Sequence, residues 1–221
     1  MKDFPVFPTD FGVSSIILRE VPYRREAYIH IQDVQPEHVS AHLSECVSFC
    51  TMVGAETVLV REHPALDDYP LHTSVVEMRG SAWVDPALLR NVFPVTEQTV
   101  GQWRRICNER MACVDNAATL EEKDENRILK SGGAYFVHDR GELLGIGWLE
   151  DTKLLAVAAV KKGAGEEVMH TLMSLVEGAD MNLEVASTNE RAIRLYEKLG
   201  FLKTGELFRW YRVYPVADGD L

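Results

Sequence analysis

The chain has 221 residues and a formal net charge of −11, from 23 Lys and Arg against 34 Asp and Glu. That balance repels nucleic acid phosphates and acidic membrane surfaces, and no local cluster of Lys and Arg offsets it. No apolar run reaches the roughly 18 residues of a membrane helix, so neither nucleic acid nor membrane is expected as a partner, and a cationic or neutral one fits better.

A prior of about 150 residues per domain leaves one or two domains. The opening Met1-Lys2-Asp3-Phe4-Pro5 does not read as a charged-then-apolar leader, and a cytoplasmic location is expected. Cys46, Cys50, Cys107 and Cys113 fall within helical patterns. They lack Cys-x-x-Cys spacing and have no clustered His beside them, so they read as core thiols and no metal site is expected.

In chain order, Ser14 to Glu20 and Ala27 to Gln32 read as strands joined by Val21 to Arg25. Pro36 opens a helix carrying Val39, Leu43, Cys46, Val47 and Cys50, which Gly54 ends. Thr57 to Val60 is a further strand, and Thr73 to Met78 can form another. From Asn91 the pattern starts afresh with a strand, two helices (from Thr96, and over 117–130), and three strands, 134–138, 142–149 and 154–160. The turn at Asp139-Arg140-Gly141 predicts a hairpin. The third of these strands holds only Leu, Ala and Val, as expected of a strand buried on both faces. A glycine-containing turn, a helix through Val168, Met169, Leu172, Met173 and Val176, the strand 183–186, another helix and a hairpin around Gly205 complete the chain.

The helix after Ala186 carries the most specific signal. Ser187 and Glu190 stand at capping-box spacing, Asn189 is itself a favoured N-cap, and Ala192, Ile193, Leu195, Tyr196 and Leu199 form one apolar stripe that Gly200 terminates. Tyr196 brings a hydroxyl to the edge of that stripe. Asn189, Ala192, Leu195-Tyr196-Glu197-Lys198 and Gly200-Phe201 resemble the late motif of the GNAT superfamily of acyl-CoA-dependent N-acetyltransferases, N-x-x-A-x-x-L-Y-E-K-x-G-F. The element order from Asn91 onward resembles that family too.

The resemblance implies an α/β (α+β) fold with a mixed, mostly antiparallel central sheet flanked by helices over residues 91–221. A smaller N-terminal α+β domain, residues 1–90, reads either as a degenerate half-GNAT or as an unrelated decoration. In the family the strand before the motif helix splays from its neighbour to admit a pantetheine arm, the asparagine holds that arm and the tyrosine faces the thioester sulfur. By resemblance these roles fall to Asn189 and Tyr196, with acetyl-CoA as the acyl donor.

Between strand and helix, Lys161-Lys162-Gly163-Ala164-Gly165-Glu166 can cradle a pyrophosphate on backbone N–H groups, or form an ordinary turn. A dinucleotide fingerprint is disfavoured because Val168 stands at the third glycine and no ribose-binding acid closes the next strand. The loop departs from the family pattern at Val160, where the family has Arg or Gln, which leaves Lys161 and Lys162 to supply charge. The cofactor-contacting set is thus Ala158, Val160, Lys161, Lys162, Gly163, Ala164, Gly165, Glu166, Asn189, Ala192 and Tyr196. Tyr196 is the expected general acid. Glu150 and Asp151 are candidates for the base or are solvated strand-end carboxylates, and His138 is a further candidate. Phe208, Trp210, Tyr211, Arg209 and Arg212 are read either as acceptor-pocket lining or as sheet core and edge.

The expected activity is acetyl transfer to a primary amine of a small molecule or peptide by direct attack in a ternary complex, in a monomer or homodimer. A catalytically silent acyl-CoA-binding or regulatory module is the alternative, and a nucleotide-binding oxidoreductase a remoter one.

Overall fold

The computed structural model describes residues 5–66, 68–81, 83–176 and 180–213. Along these run β1 (Val6–Pro8), β2 (Gly12–Ile17), α1 (Val21–Arg24), β3 (Glu26–Val34), α2 (Val39–Met52), β4 (Thr57–Arg61), β5 (Leu71–Ser81), β6 (Asn91–Pro94), α3 (Val100–Met111), α4 (Glu122–Ser131), β7 (Ala134–Asp139), β8 (Glu142–Glu150), β9 (Lys153–Ala159), α5 (Gly165–Met173), β10 (Asp180–Ala186), α6 (Glu190–Lys198) and β11 (Leu202–Val213). Two compact units result. One comprises residues up to 74 and from 208 onward, the other residues 75–207. The expected break at residues 90 and 91 differs from this division, because residues 75–81 of β5 pair with β10 inside the second unit.

In the first unit β2 and β3 pair antiparallel, α2 crosses over, and β4 returns parallel to β3. The end of β11 adds an antiparallel partner, with Trp210 opposite Arg61 and Val213 opposite Val58. The apolar stripe of α2 buries Leu43, Cys46, Val47 and Cys50 against Ile16, Ala27, Ile29, Val58 and Val60. Each fully buried aliphatic side chain of this kind contributes about 1.5–3 kcal/mol relative to exposure. On the same helix His42 is fully buried, with Nδ1 2.8 Å from Thr9 Oγ1 and Nε2 2.7 Å from Ser14 Oγ.

The second unit is a mixed, mostly antiparallel sheet with helices on both faces. Its strands run β11, β5, β10, β9, β8, β7, β6; β10 pairs antiparallel with β5 and parallel with β9, and β9, β8, β7 and β6 pair antiparallel in turn. One face packs on α5 and α6 through Leu144, Leu154, Val168, Leu172, Leu183 and Ile193. The other packs on α3 and α4 through Trp103, Ile106, Ile128, Ile146 and Trp148. The hairpin between β7 and β8 turns at Arg140 and Gly141, both at positive φ, as the Asp-x-Gly pattern predicts.

The chain connectivity β8, β9, α5, β10 repeats that of β2, β3, α2, β4: an antiparallel pair, a helical crossover and a parallel return. Where the second unit has its glycine turn, the first has Gln35-Pro36-Glu37-His38.

Three expectations are corrected. No hairpin forms at Gly205, because β11 continues through it as one strand; the far end of the expected hairpin, Tyr214, lies outside the described residues. β9 is not buried on both faces: beyond Leu154 its residues are only half-buried, since they border a cleft. Cys113 lies past the end of α3 and is exposed, whereas the other three cysteines are buried.

Candidate active site

The site grows from a defect in the sheet. β9 and β10 pair only at Lys153 opposite Asn182 and Leu154 opposite Leu183. Immediately afterwards the β8–β9 register slips. Trp148 faces Ala156 and Leu149 faces Leu154, which leaves Leu155 as an extra residue. A bulge of this kind ends ladder pairing and re-aims side chains. Beyond it the parallel strands part, and a cleft of about 730 Å³ opens, bordered by Leu155 to Ala159 on one side and Glu184 to Ala186 on the other.

At the wide end stand a glycine turn and two helix N-termini. Gly163 has φ +90, a conformation that side chains resist, and nothing lies within 4 Å of where its Cβ would be. A Cβ on Gly165 would approach Leu195 Cδ2 to 3.2 Å, so glycine there lets α5 begin close against α6. The first-turn N–H groups of the nine-residue α5 and of α6 have no intrahelical acceptors and carry partial positive charge. Asn189 caps α6 by accepting a hydrogen bond from the Ala192 N–H at 3.3 Å; the cap is this asparagine rather than Ser187.

Tyr196, two turns beyond Asn189, is 7 % exposed, lies 6.0 Å ring to ring from Phe201 and lines the cleft. Burial pushes its phenol up to about 12, so the hydroxyl holds its proton at neutral pH. Burial likewise raises the thiols of Cys46 to about 11 and of Cys50 and Cys107 to about 12, which leaves them protonated and poor nucleophiles.

The sequence-derived set divides on this geometry. Ala158, Gly163, Gly165, Glu166, Asn189, Ala192 and Tyr196 all line the cleft. Val160, Lys161, Lys162 and Ala164 are not among its lining residues. Ala164 is buried in the core, and Lys161 bonds Glu142 Oε2 at 2.6 Å, which holds its ammonium above its ordinary value. Glu166 is paired with Lys198.

Glu150 and Asp151 stand at the β8–β9 turn, at the closed end of the strand pair, and neither borders the cleft. Glu150 faces Arg127 at 3.6 Å, and Asp151 has the left-handed φ of a turn residue. His138 pairs within the β7–β8 hairpin, and Phe208 to Arg212 belong to the first unit.

Several cleft residues escaped sequence reasoning. Glu184 is the first β10 residue past the last pair with β9, and its exposed carboxylate is paired with Lys153. Its signal was alternation: Leu183 and Val185 are buried, so Glu184 must face the other way. Arg110, whose Nη2 donates to Val160 O at 2.9 Å, and Arg191 bring cations to the wide end in place of the loop lysines. Arg110 lies 50 residues from its acceptor, a relation no local pattern encodes.

A mixed sheet forked between two parallel strands, with a glycine turn, helix N-termini and arginines at its open end, defines a cleft for an elongated ligand with an anionic end. Residues 103–201, a little under half of the chain, match the model of the acetyltransferase (GNAT) family, a family of acyl transfer. Solved structures agree in fold. An acetyltransferase of the GNAT family from Colwellia psychrerythraea is 12% identical, with a TM-score of 0.52 over 95% of this chain and 84% of that one. A GCN5-related N-acetyltransferase from Anabaena variabilis is 11% identical, with a TM-score of 0.58 over 85% of this chain and 54% of that one. A functionally unknown conserved protein from Staphylococcus epidermidis is 10% identical, with a TM-score of 0.53 over 96% of this chain and 94% of that one. No curated protein matches the chain. Among the described residues no helix is long and apolar enough to cross a membrane.

Proposed function

We propose that the second unit transfers an acetyl group from acetyl-CoA to a primary amine by direct attack within a ternary complex. The observation that carries this reading is the fork between β9 and β10, with Gly163, Asn189 and Tyr196 along it and Glu184 at its apex. From Leu155 to Ala159 the strand rises about 13 Å, room for an extended arm between an anionic group at the wide end and a reacting group at the apex.

The donor's phosphates fit the helix N-termini and the guanidinium groups of Arg110 and Arg191. A lysine-like amine of pKa about 10.4 must lose a proton at pH 7 at a cost of about 4.6 kcal/mol, and Glu184, directly or through water, is the carboxylate placed to accept it. Nitrogen attacks the thioester carbonyl, the C–S bond breaks, sulfur leaves with the electron pair, and the second proton shed by nitrogen passes to it, giving the amide and the free thiol. Tyr196, raised to about 12, is too weak an acid to be stripped by solvent and donates a hydrogen bond to the sulfur as its charge develops.

A binding module without turnover is the second reading, favoured by Glu166, which sets a carboxylate beside the phosphate position, and by the engagement of Lys161 with Glu142. Thiol release from acetyl-CoA across a panel of amines separates the two. Amine-dependent release supports the enzyme; saturable binding with no release on any acceptor supports the module.

A further inference from the structure

Beside the fork, on the α4 side, lies a shallow cavity of about 490 Å³ lined by Lys123, Asn126, Arg127, Lys130, Ser131 and Glu150. Lys123, Arg127 and Lys130 recur at helical spacing and so share one face of α4. Counting Glu121, the partner of Lys123, three cations stand against two carboxylates here, a local positive excess on a chain of net charge −11. Charges farther off than about 8 Å are largely screened at physiological salt, so the local excess governs what binds here.

The cations are not equally committed. Lys123 is paired with Glu121. Arg127 sits 3.6 Å from Glu150, beyond hydrogen-bond reach, with both side chains about half exposed, and such a pair is weak. Lys130 has no ion-pair partner among the described residues. Arg127 borders this cavity and the deep cleft alike, and its guanidinium lies over the Trp148 ring at 5.1 Å. That ring is fixed in turn, because Trp148 Nε1 donates to Ser131 Oγ at 2.9 Å. Trp148 stands opposite Ala156, next to the bulge at the fork. At the last paired residues, Leu149, Leu154 and Leu183, two strand spacings, about 10 Å, separate β8 from β10.

We propose that Arg127 and Lys130 form an anion subsite for the acceptor, selecting primary amines that carry a carboxylate several bonds from the nitrogen. The inference rests on the acyl-transfer reading for the place of the amine, while the subsite stands on its own geometry. A planar guanidinium held over an indole and facing a shallow basin suits a carboxylate, which it can bind through two parallel N–H donors.

The test uses γ-aminobutyrate and its amide as matched probes. Titrated into the full chain and followed by the indole N–H resonance of Trp148, γ-aminobutyrate is expected to give a saturable shift that the amide does not. Arg127→Gln and Lys130→Gln should each weaken that binding about tenfold or more, with Arg127→Lys intermediate. In thiol-release assays the preference for acid over amide, as a ratio of kcat/KM, should fall by a similar factor in both Gln variants. Equal shifts from acid and amide, or unchanged affinity in both Gln variants, overturn the subsite. Acid-selective binding without thiol release on any amine leaves the subsite standing and overturns the acyl-transfer reading instead.

Discussion

Leu154 of β9 and Leu183 of β10 form the last register pair before the two parallel strands part, and the next residue on β10 is Glu184. An exposed carboxylate at the apex of a fork that leads from a glycine turn is where an amine would lose its proton. Glu184→Gln keeps the shape and removes the base. It should lower kcat/KM at neutral pH by about 10²-fold or more while donor affinity is retained. Asp151→Asn, at a turn outside the cleft, should change kcat/KM less than twofold by the same assay. If Asp151→Asn shows the larger loss, the base lies at the β8–β9 turn after all.

Tyr196 faces the same cleft with a phenol pushed up to about 12 by burial. Tyr196→Phe removes only the hydroxyl and should reduce kcat by about 10²-fold, with KM for the donor little changed. A fall in rate at alkaline pH governed by this group would lie near 12 and not near 10, so activity should persist through pH 10 in an amine-saturated profile.

Much of this site was legible in the sequence because the residues that build it are local. The run from Asn189 to Phe201 holds its own N-cap, stripe and terminator, and the structure has the helix within it. The hairpin turn at Arg140 and Gly141 is equally local. What escaped depends on distant partners. β5 joins the sheet of the second unit by pairing with β10, about a hundred positions later in the chain, and nothing in Leu71–Ser81 itself names that partner. The bulge at Leu155 follows from a mismatch between two strands that each look regular. Glu150 and Asp151 have the right chemistry, but only the fork reveals that they stand at its closed end.

Asn189 caps α6 and borders the cleft in which the donor is proposed to bind. Its side chain caps α6 through the Ala192 N–H, so Asn189→Ala should cost about 1 kcal/mol of stability and lower the melting temperature measurably. Asn189→Asp retains a capping acceptor and should keep that stability. A weaker donor affinity in Asn189→Asp at full stability would assign the amide NH2 a binding role separate from capping.

His42 gives the first unit a pH dependence. Burial lowers its pKa, and both ring nitrogens are engaged with Thr9 and Ser14 in a fully buried setting. A buried neutral histidine binds fewer protons folded than unfolded below about pH 6.5, so stability rises with pH there. The contribution is fully present above the unfolded pKa and is lost as pH falls from there through the lowered folded value. Urea unfolding monitored on residues of the first unit should give a lower midpoint at pH 5 than at pH 7.5. His42→Gln, which titrates at neither pH, should flatten that difference at the expense of about 1–3 kcal/mol for imperfectly satisfied partners. An unchanged pH slope in His42→Gln would assign the dependence to other groups.

Calorimetric titration of acetyl-CoA into the wild type and into Ala158→Phe bears most directly on the fork as the donor site. Ala158 borders the parted strands at the cleft surface, so a phenyl ring there fills the channel. The wild type should bind saturably with one site per chain, and Ala158→Phe should bind about tenfold more weakly or worse at an unchanged melting temperature, as a steric cost of 1–3 kcal/mol implies. Equal affinity in the two proteins, or no binding by the wild type, would contradict a donor held between β9 and β10.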